Sequence, residues 1–414
     1  MNGQCRICHE SLPEPFFNLG AQTLANNLEH THEMALRAPR YLLALTRCKR
    51  CQLVQLTRVV DPDILFRNYL YSPGVSKSFH KHFEELATHV IELLDLQHTP
   101  FPPLAVDIGS NDGTLLGKFL NRGWDVVGVE PSGKQAAEAT AAGVPTLHDY
   151  WNEHSRRQIQ SNRGKADLIT ATNVFAHVDN VADFVAQAHE LLNPGGVLVI
   201  EVPYLPTMVE DGSFDLIYHE HLSYFHIAPL QWLMAAMHMK IVRVEYVDIH
   251  GGSIRVFAQR SDSVRVVHPA QLEALAAKER AVVRALDLDN FAKRCRERRA
   301  EVQEAINSRA AKGCVVGYTA PAKATVLVNF CDLTARNIRY IVDDAPLKQE
   351  RYLPGSAIPI VPSARMEIDP PDTIIVFAWN IVGDVLDRLP SNAEVVTVMP
   401  DFKQHRPAKV LAAT

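Results

Sequence analysis

Two pairs of cysteines near the beginning of the chain restrict what it can fold into more than any other feature. Cys5 and Cys8 form one C-x-x-C, and Cys48 and Cys51 form a second. Each spacing lets two thiolates from one tight turn bind a single ion, and two such turns supply the four sulfurs of a tetrahedral zinc site. A redox dithiol needs only one pair, and four sulfurs leave no position for a catalytic water. The pattern therefore predicts a structural zinc site, with a small lobe formed by the residues between the pairs.

Composition and charge narrow the remaining possibilities. The chain has 414 residues, of which 47% are hydrophobic and 21% charged, and this size predicts two or three domains. A net charge of -5 argues against nucleic acid as a partner. The polar first residues and the lack of an apolar run of about 20 residues predict neither a leader peptide nor a membrane partner. An odd total of seven cysteines favours a reducing compartment, so we expect a cytoplasmic protein. The sequence does not set the oligomeric state, and a monomer is compatible with it.

The segment LAVDIGSNDGTLL, which begins at Leu104, has the pattern of a strand, a polar turn and a helix. Such a unit is typical of the opening of a nucleotide-binding sheet, where a glycine-containing turn lets the backbone approach a ligand closely. A second strand follows and ends in an acidic residue about 20 positions further on, where a carboxylate can accept both hydroxyls of a ribose. We therefore predict a cofactor site formed by Asp107, Gly109, Asn111, Gly113, Glu130 and Pro131.

Strands and helices alternate along most of the remaining chain. Further buried strands end at Asn173 and at Glu201, and the second of these strands follows a helix that ends at a glycine turn. A second strand-loop-helix series begins at Lys312. A charged stretch over 271–311 separates the two series and predicts one or two long amphipathic helices. We predict an α/β protein with an N-terminal zinc-binding lobe (1–70), a central Rossmann-like domain (71–270) and a second Rossmann-like α/β domain (271–414).

The segment FDLIYHEHLSYFH, from Phe214 to His226, holds the residues best suited to chemistry. Tyr218, Glu220 and His221 place a phenol, a carboxyl group and an imidazole side by side just beyond the predicted cofactor sheet. Histidine is the natural general base near neutral pH, and a tyrosine can hydrogen-bond a developing enolate oxygen. Two alternatives stay open at this point: a metal site formed by the histidines of the segment, and a loop with a purely structural role.

At these residues the chain resembles a known family, the sugar C-methyltransferases, which methylate a carbon of nucleotide-linked keto-deoxysugars in antibiotic biosynthesis. The resemblance covers essentially the whole length. It rests on the paired C-x-x-C, on VDIGSNDGTLL, NVFAHV, EVPYL, YHEHLSYF and HGGSIRVF, and on the late segments GYTAPAK and VDDAPLKQERYLPG.

The resemblance implies a function for each part of the chain. It implies a zinc-binding lobe, a central S-adenosylmethionine-dependent methyltransferase domain and a C-terminal domain that helps to hold a nucleotide-linked, dTDP-type 4-keto-deoxysugar. It assigns the role of base to His221, assisted by Glu220, and puts Tyr218 and Tyr71 near the reacting groups. It also implies a set of residues that bind the substrate: Asn173, His177, Lys323, Arg351 and Trp379.

The implied reaction agrees with the chemistry of the segment. Methyl transfer to carbon needs a carbanion equivalent, which a ketone supplies when His221 removes the adjacent proton. Three alternatives remain: an O-methyltransferase, a nicotinamide-dependent oxidoreductase and a non-catalytic zinc-containing scaffold. The oxidoreductase is disfavoured because the first turn lacks the G-x-G-x-x-G pattern that suits a dinucleotide pyrophosphate.

Overall fold

In the computed structural model, which describes residues 3–66, 77–94, 101–249, 251–263, 277, 279 and 288–406, the N-terminal region forms an antiparallel sheet. Its elements are β1 (Phe17–Thr23), a helix His32–Leu36, β2 (Arg40–Arg47), β3 (Val54–Leu56) and a helix Pro62–Phe66. β2 lies in the middle and pairs with both β1 and β3. Since β1 and β2 lie between the two cysteine pairs in the chain, the prediction of a lobe between the pairs is confirmed.

The central region begins with a long helix and continues as alternating strands and helices. Two short 3-10 helices, Phe175–His177 and Phe214–Leu216, interrupt the alternation. In chain order the elements are the helix Lys77–Leu94, β4 (Leu104–Ile108), the helix Thr114–Leu120, β5 (Asp125–Val129), the helix Gly133–Ala141, β6 (Thr146–Leu147), the helix Glu153–Arg163, β7 (Ala166–Thr172), the helix Val181–Leu191, β8 (Leu192–Pro203), the helix Leu205–Asp211, β9 (Ser223–Tyr224), the helix Ile227–Ala236, β10 (Met239–Val247) and β11 (Ser253–Arg260).

The central sheet has the strand order β10-β11-β8-β7-β4-β5-β6. β4 pairs in parallel with β5 on one side and β7 on the other. The order in which successive strands are added to the sheet therefore reverses beside β4, and a crevice opens at its carboxyl end. β10 and β11 are antiparallel to their neighbours. The predicted Rossmann-like sheet is thus confirmed, with two antiparallel strands added at one edge. β4 reads LAVDI and is buried along its whole length, as expected of a central parallel strand covered on both faces.

The predicted glycine turn before Glu201 takes a different form. The helix Val181–Leu191 ends where β8 begins, and the register between β7 and β8 jumps from Ala166↔Leu192 to Leu168↔Val197. The residues Asn193–Gly196 therefore bulge out of the strand rather than forming a turn before it. Proline and two glycines favour such a bulge because proline cannot donate to the sheet and glycine tolerates the local kink.

One strand of the N-terminal sheet comes from the middle of the chain. β9 pairs antiparallel with β3 through Val54↔Tyr224 and Gln55↔Ser223, which extends the order to β1-β2-β3-β9. The segment that holds the predicted catalytic residues therefore runs directly into the zinc-binding lobe. The domain limits at 70 and 270 stay a prediction, but no cut at a single chain position separates the two sheets.

The C-terminal region begins with a long helix, which lies within the predicted charged stretch. The strands that follow it in the chain form a third sheet. The elements are the helix Leu288–Ala310, β12 (Val315–Tyr318), the helix Ala322–Phe330, β13 (Ile341–Val342), β14 (Arg351–Tyr352), β15 (Pro359–Val361), the helix Arg365–Ile368, β16 (Thr373–Val376), the 3-10 helix Trp379–Ile381, the helix Val382–Val385, the 3-10 helix Leu386–Arg388, β17 (Glu394–Thr397) and β18 (Lys403–His405). The strand order is β14-β15-β13-β12-β16-β17-β18, with a parallel centre and an antiparallel strand at each edge.

Aromatic side chains join the N-terminal sheet to the C-terminal region. Phe17 of β1 lies edge-on to Phe291, with ring centroids 5.8 Å apart, and to Phe330, at 6.1 Å. All three lie in one continuous hydrophobic core. Each edge-to-face pair of this kind contributes about 0.5–1.5 kcal/mol of stability beyond the contribution from burying its apolar area. Among the described residues, no helix is long and apolar enough to span a bilayer.

Candidate active site

The four cysteines converge on one point. Their sulfur atoms all lie within 4.8 Å of one another, with Cys5 Sγ 3.3 Å from Cys51 Sγ and Cys8 Sγ 3.4 Å from Cys48 Sγ. Zn–S bonds of about 2.3 Å in a tetrahedron put sulfurs slightly less than 4 Å apart, so this donor set fits zinc and leaves no open position. The prediction of a structural four-cysteine zinc site is confirmed.

The two cysteine turns have the same backbone geometry. The amide of His9 donates to the carbonyl of Cys5, and the amide of Gln52 donates to the carbonyl of Cys48. His9 and Gln52 both adopt a positive φ, of 56° and 69°. Each turn thus reverses the chain directly after its second cysteine, which brings both thiols of a pair to the same side.

The first predicted cofactor residues lie at the carboxyl end of β4, where the crevice opens. Gly109 has a φ of 69°, and a Cβ there would lie 2.8 Å from Cγ2 of Val174, so only glycine fits. Gly113 begins the helix Thr114–Leu120. Asp107 is buried and accepts a hydrogen bond of 2.6 Å from the Thr170 hydroxyl on β7. Burial raises the pKa of Asp107 to about 7, and the hydrogen bond from Thr170 opposes the rise.

Glu130 follows β5 directly and reaches back to the same turn. Its carboxylate accepts hydrogen bonds from the backbone amides of Asn111 (2.9 Å) and Ser132 (2.8 Å), one on each oxygen. Burial raises the pKa of Glu130, and these two amide bonds oppose the rise. Each oxygen of an ionised carboxylate can accept a further bond, so Glu130 can still bind two hydroxyls. The next residue, Pro131, accepts a bond from His148 through its carbonyl.

The side chain of His221 is held by two hydrogen bonds. Its Nδ1 lies 3.0 Å from the carbonyl oxygen of Leu216, and its Nε2 lies 2.7 Å from the hydroxyl of Tyr218. A carbonyl oxygen can only accept, so Nδ1 carries the proton, and in the neutral ring Nε2 has a lone pair that faces the phenol. The tautomer required of a general base acting through Nε2 is therefore set by the backbone.

One further predicted substrate residue contacts His221. His177 stacks on His221, with ring centroids 5.3 Å apart and an angle of 23°. Burial lowers the pKa of His177 to about 4, so it stays neutral beside the base. Asn173 follows β7 with a φ of 57°, and its buried Oδ1 has no partner among the described residues. Tyr71 lies outside the described residues.

Glu220 is buried against the N-terminal lobe. Its carboxyl accepts a hydrogen bond of 2.6 Å from the amide nitrogen of Asn26. Burial raises the pKa of Glu220 to about 7, and the Asn26 bond opposes the rise. The contact that orients His221 comes from the Leu216 carbonyl, so the assisting role of Glu220 stays a prediction.

Residues of the C-terminal region complete a second polar cluster beside the first. The ammonium of Lys323 lies 4.3 Å from the centre of the Trp379 ring and donates to Asn380 at 2.7 Å. Trp379 donates through Nε1 to Asp215, whose other oxygen is buried without a partner among the described residues. Burial lowers the pKa of Lys323 to about 8, although the charge of Asp215 favours the ammonium.

Arg351, the remaining predicted substrate residue, contacts the N-terminal lobe. Arg351 donates to Nε2 of His30 in the N-terminal lobe, at 2.7 Å. Its strand β14 is at the edge of the C-terminal sheet. The structure thus brings Lys323 and Trp379 together and gives Arg351 a contact of its own.

Sequence reasoning missed Asp215, Asn380 and Asn26. None stands in a spacing that marks chemistry, and each becomes notable only through a partner far away in the chain, as Asp215 does through Trp379. Asp215 also lies inside the segment singled out for its histidines, so proximity to that segment was the one available signal.

The chain thus combines a Rossmann-like sheet that has a crevice at the end of β4, a buried histidine–tyrosine pair and a four-cysteine cluster in an N-terminal lobe. Three family models match in the corresponding order: "Putative zinc binding domain" over 5–66, "Methyltransferase domain" over 79–244 and "C-methyltransferase C-terminal domain" over 248–399. Among curated proteins, the chain is 33% identical to C-methyltransferase NovU of Streptomyces niveus, over 93% of this chain and 91% of that protein. The chain therefore belongs to the C-methyltransferase family, and the predicted class, an S-adenosylmethionine-dependent methyltransferase, is confirmed.

Other similarities are shorter or more remote. A ubiquinone biosynthesis O-methyltransferase of Rhodopseudomonas palustris is 30% identical over 23% of this chain and 38% of its own length. Among solved structures, magnesium protoporphyrin IX methyltransferase of Synechocystis PCC 6803 is 16% identical with a TM-score of 0.37, covering 48% of this chain and all of that one. Membership of the methyltransferase family does not support the oxidoreductase and scaffold alternatives.

Proposed function

We propose that this protein transfers a methyl group to the carbon beside the ketone of a nucleotide-linked, dTDP-type 4-keto-deoxysugar, in a pathway of the antibiotic type. The observation that carries the proposal is the pair of hydrogen bonds at His221, to Leu216 and Tyr218. They present an unprotonated Nε2 beside a phenol, the two groups that enolate formation from a ketone requires.

The proposed step begins with proton transfer. Nε2 of His221 takes the proton from the carbon next to the ketone, and the electron pair of the broken C–H bond forms the double bond of an enolate. The hydroxyl of Tyr218 turns from Nε2 to the ketone oxygen and stabilises the charge that develops there. The imidazolium that results is stabilised by the Leu216 carbonyl, which keeps its bond to Nδ1.

S-adenosylmethionine, when bound, would supply a methyl group on a positively charged sulfur, and the enolate carbon would accept that methyl group as its bond to sulfur breaks. We assign it to the turn of Gly109, Asn111 and Gly113, with its ribose on Glu130. The support is geometric, since these residues meet at the carboxyl end of β4 and Glu130 keeps two free acceptor positions.

The nucleotide part of the substrate is assigned to the cluster of Lys323, Trp379 and Asp215. A buried ammonium suits a diphosphate, an indole ring offers a face to a base, and the unpartnered oxygen of Asp215 can accept from a donor on the ligand. His177, which stacks on His221, and Asn173, whose buried Oδ1 has no partner among the described residues, are assigned to the sugar. Because four zinc-binding thiolates must stay reduced, we also propose a cytoplasmic location.

Replacing Glu130 with alanine should weaken S-adenosylmethionine binding at least tens-fold. The change removes two charge-assisted hydrogen bonds to the ribose, each worth about 1.5–3 kcal/mol. Isothermal calorimetry measures the effect directly. Glu138→Ala, which removes an exposed carboxylate from the next helix, is the control and should bind normally. An unchanged dissociation constant for Glu130→Ala would refute the assignment of the ribose site.

The reaction itself can be tested with labelled methyl donor and a panel of nucleotide-linked sugars. We expect the label to appear as a new C–CH3 group next to the ketone and only with keto sugars. Sugars reduced to the alcohol are the control, because their carbon-bound hydrogens are not acidic enough for a histidine base. A product with an O–CH3 signal, or methylation of the reduced sugars, would overturn the proposal.

A further inference from the structure

Arg6 stands between the first two cysteines, and its side chain is turned into the protein. It is 9% exposed. Its Nε donates to Oδ1 of Asp179 at 2.9 Å, and its Nη1 donates to the carbonyl oxygens of Leu56 and Leu222, both at 3.1 Å. One guanidinium therefore joins the first cysteine turn, the strand β3 and two segments of the central region.

Those two segments hold the stacked histidines of the candidate site. Leu222 follows His221 directly, and Asp179 is two residues after His177. The amide of Leu222 donates to the carbonyl of Ala176 at 2.8 Å, and its carbonyl also accepts from the amide of Leu56 at 2.9 Å. Together with the bond from Arg6, three hydrogen bonds hold the backbone of Leu222, the residue next to the proposed base.

A buried arginine is a costly way to achieve packing alone. The Arg6 side chain is only 6% exposed and has lost most of its hydration, whereas Asp179, the one carboxylate that it contacts among the described residues, is 62% exposed. An apolar side chain of similar volume is often as stabilising as a buried ion pair. An arginine adds a planar guanidinium, whose N–H groups donate to several acceptors in fixed directions.

The second cysteine pair offers an internal comparison. Arg50 also stands between two cysteines of a C-x-x-C, but it is exposed, and its guanidinium lies over the ring of Trp232 at 5.7 Å. An arginine inside a zinc turn therefore does not need the contacts that Arg6 makes.

We propose that Arg6 is a positioning residue for methyl transfer. It ties the zinc turn to the segments of His177 and His221 and so holds in place the backbone that carries the His221 ring, whose direction the Leu216 carbonyl sets. The proposal rests on the proposed role of His221 as the base. In this view the zinc site supports the reaction through Arg6 as well as stabilising the fold.

The test compares Arg6→Met and Arg6→Lys with the matched pair Arg50→Met and Arg50→Lys. A misplacement of the base by a fraction of an ångström should lower kcat about tenfold or more in Arg6→Met. Arg6→Lys retains a cation with fewer directed bonds and should recover part of the loss. The zinc content and the dissociation constant of S-adenosylmethionine should stay unchanged in all four variants, and both Arg50 variants should keep the original kcat.

A structural role and a positioning role are separated by combining Arg6→Lys with His221→Ala. If Arg6 acts through His221, the double variant should be no slower than His221→Ala, because there is no base left to misplace. Losses that multiply would overturn the proposal, as would an Arg6→Met variant with the original kcat. Asp179→Asn, which keeps an acceptor but removes the charge, gives a milder version of the same test if Arg6→Met does not fold. An active His221→Ala variant would instead refute the proposed base, so the two failures are distinguishable.

Discussion

Replacing His221 with alanine should reduce turnover about a hundred- to ten-thousand-fold, because it removes the group proposed to accept the substrate proton. The affinity for S-adenosylmethionine should stay intact, since the residues proposed to bind it lie at the ends of β4 and β5. His221→Asn keeps polarity without basicity and should be nearly as slow. Single-turnover kinetics with labelled methyl donor, together with calorimetry of cofactor binding, measures both quantities.

An isotope experiment isolates the proton transfer itself. In heavy water with S-adenosylhomocysteine present, the unaltered enzyme should exchange the hydrogen next to the ketone for deuterium, and His221→Ala should not. His154→Ala removes an exposed histidine from the helix Glu153–Arg163 and is the control. A His221→Ala variant that methylates at nearly the original rate would remove His221 from the mechanism, and Glu220 or Tyr218 would become the candidate base.

Loss of the zinc site should strongly destabilise the protein. Cys48→Ser leaves three thiolates for a site that needs four, and structural zinc contributes about 10–16 kcal/mol of apparent binding free energy in small zinc-binding peptides. The effect should spread beyond the lobe, because β9 belongs to its sheet and Phe17 packs on the C-terminal core. We expect a large fall in the melting temperature or in the yield of folded protein.

Elemental analysis and thermal unfolding with and without a chelator check this expectation. Cys314→Ser, a change to a partly exposed thiol of the C-terminal region, is the matched control and should keep both zinc and stability. Less than about half an equivalent of zinc in freshly purified protein would contradict the assignment.

The proposed role of Arg6 leads to a further expectation for the loss of zinc. If the zinc turn holds the peptide next to His221, partial loss of zinc should lower kcat before it lowers the affinity for the cofactor. Without that link, zinc loss should affect activity only as far as the protein unfolds. Measuring kcat and cofactor affinity during a slow chelation distinguishes the two cases.

Much of the architecture could be predicted because it depends on short-range patterns. The run LAVDI followed by a glycine turn predicts a buried strand and a close approach of backbone to ligand, and Gly109 has the positive φ that the turn requires. The C-x-x-C spacings predict two metal-binding turns for the same reason, since each turn is complete within a few residues. The glycine turn before Glu201 was less accurately predicted, because pairing with β7 decides whether such residues form a turn or a bulge.

The sequence by itself determined the α/β class, the four cysteines that cluster, the glycine turn after β4 and the segment proposed to hold the acid–base groups, all of which follow from local spacing. Only the tertiary structure decided that β9 joins the zinc-binding sheet, that Leu216 sets the tautomer of His221, and that Asp215 meets Trp379 across the C-terminal region. It also decided which of the two arginines in the cysteine turns is buried. The physical reason is that a hydrogen bond between residues such as Arg6 and Leu222, 216 positions apart, depends on how the folded sheets pack, and no local pattern in the chain encodes that geometry.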